Sequence, residues 1–376
     1  MGVAGDHEAN EIELKIHNRS FMVGILDKLL RNIDKAYSAQ FKSPIWGPEL
    51  LNKRTFLSGS SLHFFNVKDI PDEVFVQKKP KVGDIDTQID ANLEPNIEQF
   101  LKSITGKQVG NATFLGYKYG NNQYSSLWEL KEVPVKIQID FEFGRYDPKT
   151  NEPDQWFAYS HSSEWNDVEV GIKGVFHKYL NRALAAISTS EKYVARVLKK
   201  STKISPEPVT DNDLSFAVSG PGGGGMSRKY VPYVDPSTGE PMVQNGIPVM
   251  RLLEPKDRDY IQNLGQQFEL IYGRKPSKQD NQLMNSFLGT IDLMNKYLND
   301  QQRASVANDF LEILFSPSAQ MLTKDDPSRD REAKFAAIDS LVEKLKLPDG
   351  KSYRQQAVNM AKAYEDSFLS KKKATS

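Results

Sequence analysis

Two stretches constrain this chain more than any others: Val135–Phe143, VKIQIDFEF, and Gly83–Asp90, GDIDTQID. In the first, Val135, Ile137, Ile139, Phe141 and Phe143 alternate with Lys136, Gln138, Asp140 and Glu142. A period of two is the signature of a strand with one buried face, and here the other face carries carboxylates. In the second, Ile85 and Ile89 point one way while Asp84, Asp86 and Asp90 point the other. If the two strands are neighbours, their acids form a cluster that repels itself unless cations are bound. A pair of divalent ions is the usual solution, and such a pair suits phosphoryl or nucleotidyl transfer.

The rest of the sequence sets the frame. A chain of 376 residues fits one large or two medium domains and can bury a sizeable core. Its 49 basic and 49 acidic residues cancel, so no global field draws it to nucleic acid or anionic membrane. It has no cysteine, which excludes disulfides and thiolate zinc sites. No apolar run reaches the ~20 residues of a membrane span, and MGVAGDHEANEIE lacks the design of a signal peptide. Gly2 is not followed by the Ser or Thr that myristoylation wants at position six, where Asp6 stands. The expectation is a soluble cytoplasmic protein with no membrane partner.

Hydrophobic periodicity predicts an α+β organisation. Phe21, Ile25, Leu29 and Ile33 suggest a helix over about 13–40, and a turn follows at Ser43–Pro48. Residues 54–57 lead as a strand into the turn Ser58-Gly59-Ser60-Ser61, and 62–81 reads as an inserted hairpin around Ile70-Pro71-Asp72. A helix is expected over 94–105 and short strands over 112–130. Ile172, Val175, Phe176, Tyr179, Leu180, Ala183, Leu184 and Ile187 predict a helix over 168–187, with another over 191–200. The segment 204–255 is rich in proline and contains Gly220-Pro221 and four further glycines, so it reads as a connector. The domains expected are an α/β half over 1–203, this connector, a helical half over 256–370 and a disordered basic tail over 371–376.

The order Gly59-Ser60, then Asp84-Ile85-Asp86, then Asp140 between Ile139 and Phe141 resembles the nucleotidyltransferase superfamily of DNA polymerase beta. Within it, the chain looks like the minimal nucleotidyltransferase-like proteins, their phage-encoded members in particular; the host cytoplasm would then be its compartment. The resemblance covers about residues 21–187 and implies a mixed sheet with flanking helices, followed here by the all-helical C-terminal half. It implies that Gly59, Ser60 and Ser61 bind the phosphates of a nucleoside triphosphate such as ATP. It further implies that Asp84, Asp86 and Asp140 are catalytic and hold two Mg²⁺ ions, moving a nucleoside monophosphate to a hydroxyl of RNA, protein or a small molecule. The 24 residues between Gly59 and Asp84 are about twice the family's usual gap. Glu142, on the same face as Asp140, is the rival third ligand.

Other features receive weaker functional readings. Lys173 with His177, and Lys178 with Arg182, share a helix face and could reach a triphosphate, Lys173 first; a solvated face is the blander reading. The glycine run with Arg228 and Lys229 lacks the phosphate-loop pattern. Trp46, Trp128, Trp156 and Trp165 could stack a base, but core packing is the default. IDFEFG with His161 and Asp167 resembles the motifs of three-prime-to-five-prime exonucleases, yet only about twenty residues separate Glu142 from His161, too few for that fold. Two further readings remain: a non-catalytic phage structural or host-interaction protein keeping the fold, and a toxin that nucleotidylates RNA or protein.

Overall fold

The computed structural model describes residues 11–120, 122–154, 164–186, 195–198, 204–209, 216–217, 227–228, 230–253, 257, 261, 264–315, 331–345, 347 and 349–375. The chain divides into two compact units, residues 1–163 with 221–223, and residues 164–220 with 224–376.

The first unit is α+β. Beside a two-stranded ladder of β1 (Ile12–Glu13) and β2 (Lys81–Val82), its main sheet is formed by β3 (Asp84–Asp90), β4 (Gln108–Val109), β5 (Ala112–Gly120), β6 (Gln123–Leu130) and β7 (Lys136–Gly144), in the order β3-β7-β6-β5-β4. β3 and β7 run parallel, whereas the β7–β6, β6–β5 and β5–β4 pairs are antiparallel. The alternation in VKIQIDFEF does set the faces. Ile85, Ile89, Ile137, Ile139, Phe141 and Phe143 are buried with Tyr124 and Trp128. Helices α1 (Arg19–Phe41) and α5 (Glu94–Ile104) contribute Leu29, Ile33, Tyr37, Ile97, Phe100 and Leu101 to the buried core. Trp46 stacks near Phe141 at a centroid distance of 6.1 Å, and the Trp128 indole donates to Ser126 Oγ at 2.8 Å. Both tryptophans are core residues.

The segment ahead of β3 differs from expectation. Residues 54–57 form no strand of their own, although Leu57 bridges Thr87, the Gln88 N–H donates to the Phe56 carbonyl, and the Ser58 N–H donates to the Asp86 carbonyl. The expected hairpin is instead two short helices, α3 (Gly59–Phe65) and α4 (Asp72–Lys78). Seven-residue helices are too short to display a hydrophobic period. Arg19 holds them. It is 1 % exposed, and its guanidinium donates to the carbonyls of His63 (2.6 Å), Phe64 (3.0 Å) and Ile70 (2.6 Å) and to Asp72 Oδ1 (3.3 Å). It also lies 4.3 Å from the centre of the Phe75 ring. Asp34 acts similarly on the Ser43–Pro48 turn, its Oδ1 accepting from the N–H groups of Ile45, Trp46 and Gly47.

The second unit is largely helical and carries a further sheet. The helical stripe expected over 168–187 is broken at Gly171, which has φ of +81°, into helices Trp165–Glu169 and Gly174–Ala186. The latter buries Phe176, Leu180, Ala183 and Leu184 with Phe287, Ile291, Phe310, Leu311, Ile338 and Leu341. That apolar stripe is why this helix groups with the helical unit. Residues 195–198, expected in a helix, form a strand that pairs with Ile204–Val209 and Ile247–Leu252, so part of the expected connector is sheet. Pro206 and Pro208 disguise Ile204–Val209, an edge strand, where a missing N–H is tolerated. The C-terminal basic residues continue the helix Gly350–Thr375 rather than forming a separate tail. The glycine run from 220 to 225, Trp156 and His161 lie outside the described residues. No helix among the described residues is long and apolar enough to cross a membrane.

Replacing Arg19 by Ala would strand the Phe64 and Ile70 carbonyls and remove the ion-pair partner of Asp72, which would keep only its hydrogen bonds from Ser20. We expect a loss of about 3–5 kcal/mol, the range for breaking a buried charged network, measurable by urea denaturation. Amide exchange should accelerate first over residues 59–78.

Candidate metal centre

β3 and β7 align their acids because they pair parallel and in register. Asp84 lies opposite Gln138, Asp86 opposite Asp140, and Gln88 opposite Glu142. Asp84, Asp86 and Asp140 each offer a carboxylate oxygen, and these atoms lie within 4.8 Å of one another. Asp140 is buried, and Asp84 and Asp86 are half-buried.

Asp140 and Asp86 are held in place by their neighbours. The Gln138 amide donates to both Asp140 oxygens (2.9 and 3.1 Å), and the Gln123 amide donates to Oδ2 (3.0 Å). The Thr87 hydroxyl donates to the Asp140 carbonyl at 2.7 Å, locking β3 to β7 at this level. The Asp86 N–H donates to Ser61 Oγ at 2.8 Å. Gly59 has φ of +54°, and a Cβ there would stand 2.8 Å from Asp86 Oδ2. A glycine is therefore what lets α3 press on this carboxylate.

The electrostatics reflect burial and crowding of like charge. Asp86 is pushed up to about 9 by burial first, then by Asp84, Glu142 and Asp140. Asp140 is pushed up to about 6, again mainly by burial, with Asp84 and Glu142 adding and hydrogen bonds from Ser125 and Gln138 opposing. Burial also raises Asp84, against the pull of Lys79. Three hard oxygen donors converging at this range suit a divalent cation such as Mg²⁺, so the residues present fit the ion that their pattern implies.

The predicted site residues are distributed as follows. Asp84, Asp86 and Asp140 come together, with Gly59, Ser60 and Ser61 on the outer side of β3. Ser60 is half-buried at the start of α3, whereas Ser61 is fully buried and braces the Asp86 backbone. Glu142 is outside the three-carboxylate cluster, its Oε2 accepting from the Ser58 hydroxyl at 2.9 Å. Lys173 is an exposed residue of the second unit. His177 is buried within that unit, within 3.2 Å of Thr290 Oγ1 and lowered to about 4 by burial, so it is a packed core group. Asp167 accepts from the N–H groups of Phe287 (2.7 Å) and Leu288 (3.1 Å), a helix-start contact rather than an exonuclease ligand. Gln123 and Gln138 escaped the sequence reading, although their place beside acids on one strand face was visible. No protein-family model matches the chain, and no curated protein matches it.

Two outcomes follow from this geometry. An acid raised on folding holds its proton more tightly when folded. Its stabilising contribution is therefore full below the ordinary carboxylate value of about 4 and is lost as pH rises, through about 6 for Asp140 and about 9 for Asp86. Metal-free protein should lose stability progressively between about pH 4 and pH 9 in thermal melts; Asp86→Asn should flatten that slope and stabilise the protein at pH 8 by about 1–3 kcal/mol. Separately, Gly59→Ala should push the Asp86 carboxylate aside and weaken Mn²⁺ binding by roughly 10–100-fold, read by electron paramagnetic resonance.

Proposed function

We infer that this chain is a metal-dependent nucleotidyltransferase of the DNA polymerase beta type, moving a nucleoside monophosphate from a nucleoside triphosphate such as ATP to a hydroxyl acceptor. The observation that carries the reading is the convergence of Asp84, Asp86 and Asp140 within 4.8 Å, with Gly59 pressed against Asp86. The order of these residues in the chain, and their likeness to that superfamily and its phage-encoded members, support it further.

In this reading Asp84, Asp86 and Asp140 hold Mg²⁺, two ions in all. Bound there, the ions would neutralise phosphate charge and favour ionisation of the acceptor hydroxyl. The chain's own residues do the rest by positioning. Gly59 lets the backbone approach the triphosphate and Ser60 offers its hydroxyl, while Ser61 fixes Asp86 from below. The acceptor oxygen bonds to the α-phosphorus, the bond to the β-phosphate oxygen breaks, and pyrophosphate leaves. Asp140 takes the acceptor's proton, its carboxylate aimed by the Gln123 and Gln138 amides. Binding of the ions would displace the proton that Asp86 holds near neutral pH, and the ionised acids would then balance the ions' charge.

Calorimetry of ATP, GTP, CTP and UTP with Mg²⁺, on wild type and on Asp84→Ala/Asp86→Ala, tests the reading. Wild type should bind at least one nucleotide only when Mg²⁺ is present, and the double variant should bind none. Label transfer from that nucleotide should fall by on the order of 10²-fold or more in Asp140→Asn. A wild type that binds no nucleotide, with a double variant that is merely more stable, would leave a non-catalytic scaffold as the better account.

A further inference from the structure

The face of the sheet that carries the acids does not end with them. Across the strands, Asp86 is opposite Asp140, Asp140 is opposite Ser125, and Ser125 is opposite Lys118. One row up, Glu142 faces Gln123 and Gln123 faces Gly120; one row down, Gln138 faces Leu127 and Leu127 faces Gly116. Residues directly opposite in a ladder share a face. The face therefore grades from three carboxylates on β3 and β7, through the amide and hydroxyl of Gln123 and Ser125 on β6, to the exposed Lys118 and Gly120 on β5.

Three facts make that far end a place for a ligand. Lys118 and Gly120 are exposed, and a Cβ built on Gly120 would meet nothing within 4 Å. Gly120 leaves the floor open on one side of the lysine, whereas Gly116 on the other side is buried. Among the described residues Lys118 makes no ion pair and no side-chain hydrogen bond. It stands two strands from Asp140, roughly 10 Å at ordinary strand spacing.

We propose that Lys118 is a specificity residue that contacts a phosphate of the acceptor, and that the acceptor is accordingly a nucleotide or the 3′ end of an oligonucleotide rather than a protein hydroxyl. This rests on the reading of the acids as a transfer site. Phosphoryl transfer places the entering and leaving oxygens roughly in line. Gly59–Ser61 lies outside β3, so the leaving phosphates belong on that edge, and the acceptor lies over β7, β6 and β5. A protein hydroxyl arriving there would offer Lys118 nothing, whereas a sugar hydroxyl brings a phosphate attached to the same sugar or its neighbour. The amide and hydroxyl between Asp140 and Lys118 suit the polar sugar that would span them.

The test is equilibrium binding to the full chain, with and without Mn²⁺, of the 5′-phosphorylated dinucleotide pApA, adenosine, inorganic phosphate and a blocked Gly-Ser-Gly peptide. Wild type should prefer pApA to adenosine by at least about tenfold and to inorganic phosphate by a similar factor, with no measurable binding of the peptide. Lys118→Glu should erase the preference for pApA and Lys118→Arg should keep it. Lys118→Ala should lower the slope of log affinity against log salt by about one, the signature of one lost phosphate contact. Mn²⁺ affinity should be the same in all variants. A Lys118→Glu protein that still prefers pApA, a wild type that binds adenosine, phosphate or the peptide as well as pApA, or an unchanged salt slope in Lys118→Ala would overturn the proposal. A wild type that binds no Mn²⁺ would instead remove the transfer-site reading, a separate result.

Discussion

Repulsion among buried carboxylates is the constraint around which the first unit is organised. Parallel pairing of β3 with β7 in register sets Asp86 directly beside Asp140, and their partial burial removes the water that would screen them. A fold does not keep such an arrangement for its own stability, since an unpaired buried charge is costly. The protein spends much local structure in enforcing it. Thr87 ties the two strands at that level, Gln123 and Gln138 fix the Asp140 carboxylate, and Ser61 fixes Asp86. Arg19 holds the two short helices from which Ser61 reaches β3. The chain from a buried guanidinium on α1 to the position of one aspartate is therefore short and entirely polar.

Such clamps recur. Asp34 gathers three N–H groups at the turn before α2 (Gly47–Lys53), and Asp167 gathers two at the start of the helix Phe287–Tyr297 in the second unit. Asp280 caps its own helix through Ser277 and also takes Lys296 and the Tyr297 hydroxyl. Each pins a loop whose backbone donors would otherwise be unsatisfied. The acids of the metal centre differ from these. Amides and hydroxyls orient Asp140, yet burial raises all three, and neighbouring acids raise Asp86 and Asp140 further, which is the chemical sense in which the cluster suits a cation.

Much of the site was legible in the sequence because a strand's period of two is strict. Alternation in VKIQIDFEF and GDIDTQID placed Asp84, Asp86 and Asp140 on one face without any knowledge of what lay beside them. Which strands pair is a long-range fact, and only the motif order suggested it. The α3–α4 segment was misread as a hairpin because two seven-residue helices carry no period and Ile70-Pro71-Asp72 looks like a turn. Ile204–Val209 hid behind its prolines, and the strand Ala195–Leu198 is too short to outweigh the helical look of its neighbours. Lys118 was invisible for another reason: in Tyr117-Lys118-Tyr119 it reads as an ordinary exposed residue, and only the register of two strand pairs aligns it with Asp140.

The most direct measurement is the anomalous difference map of a crystal soaked in Mn²⁺ near pH 7.5. A cation bound as inferred gives a peak among Asp84, Asp86 and Asp140, at roughly 2.0–2.2 Å from their oxygens, and the peak disappears in Asp86→Asn. A map with no peak between these three carboxylates, in crystals that take up Mn²⁺ elsewhere, would contradict it.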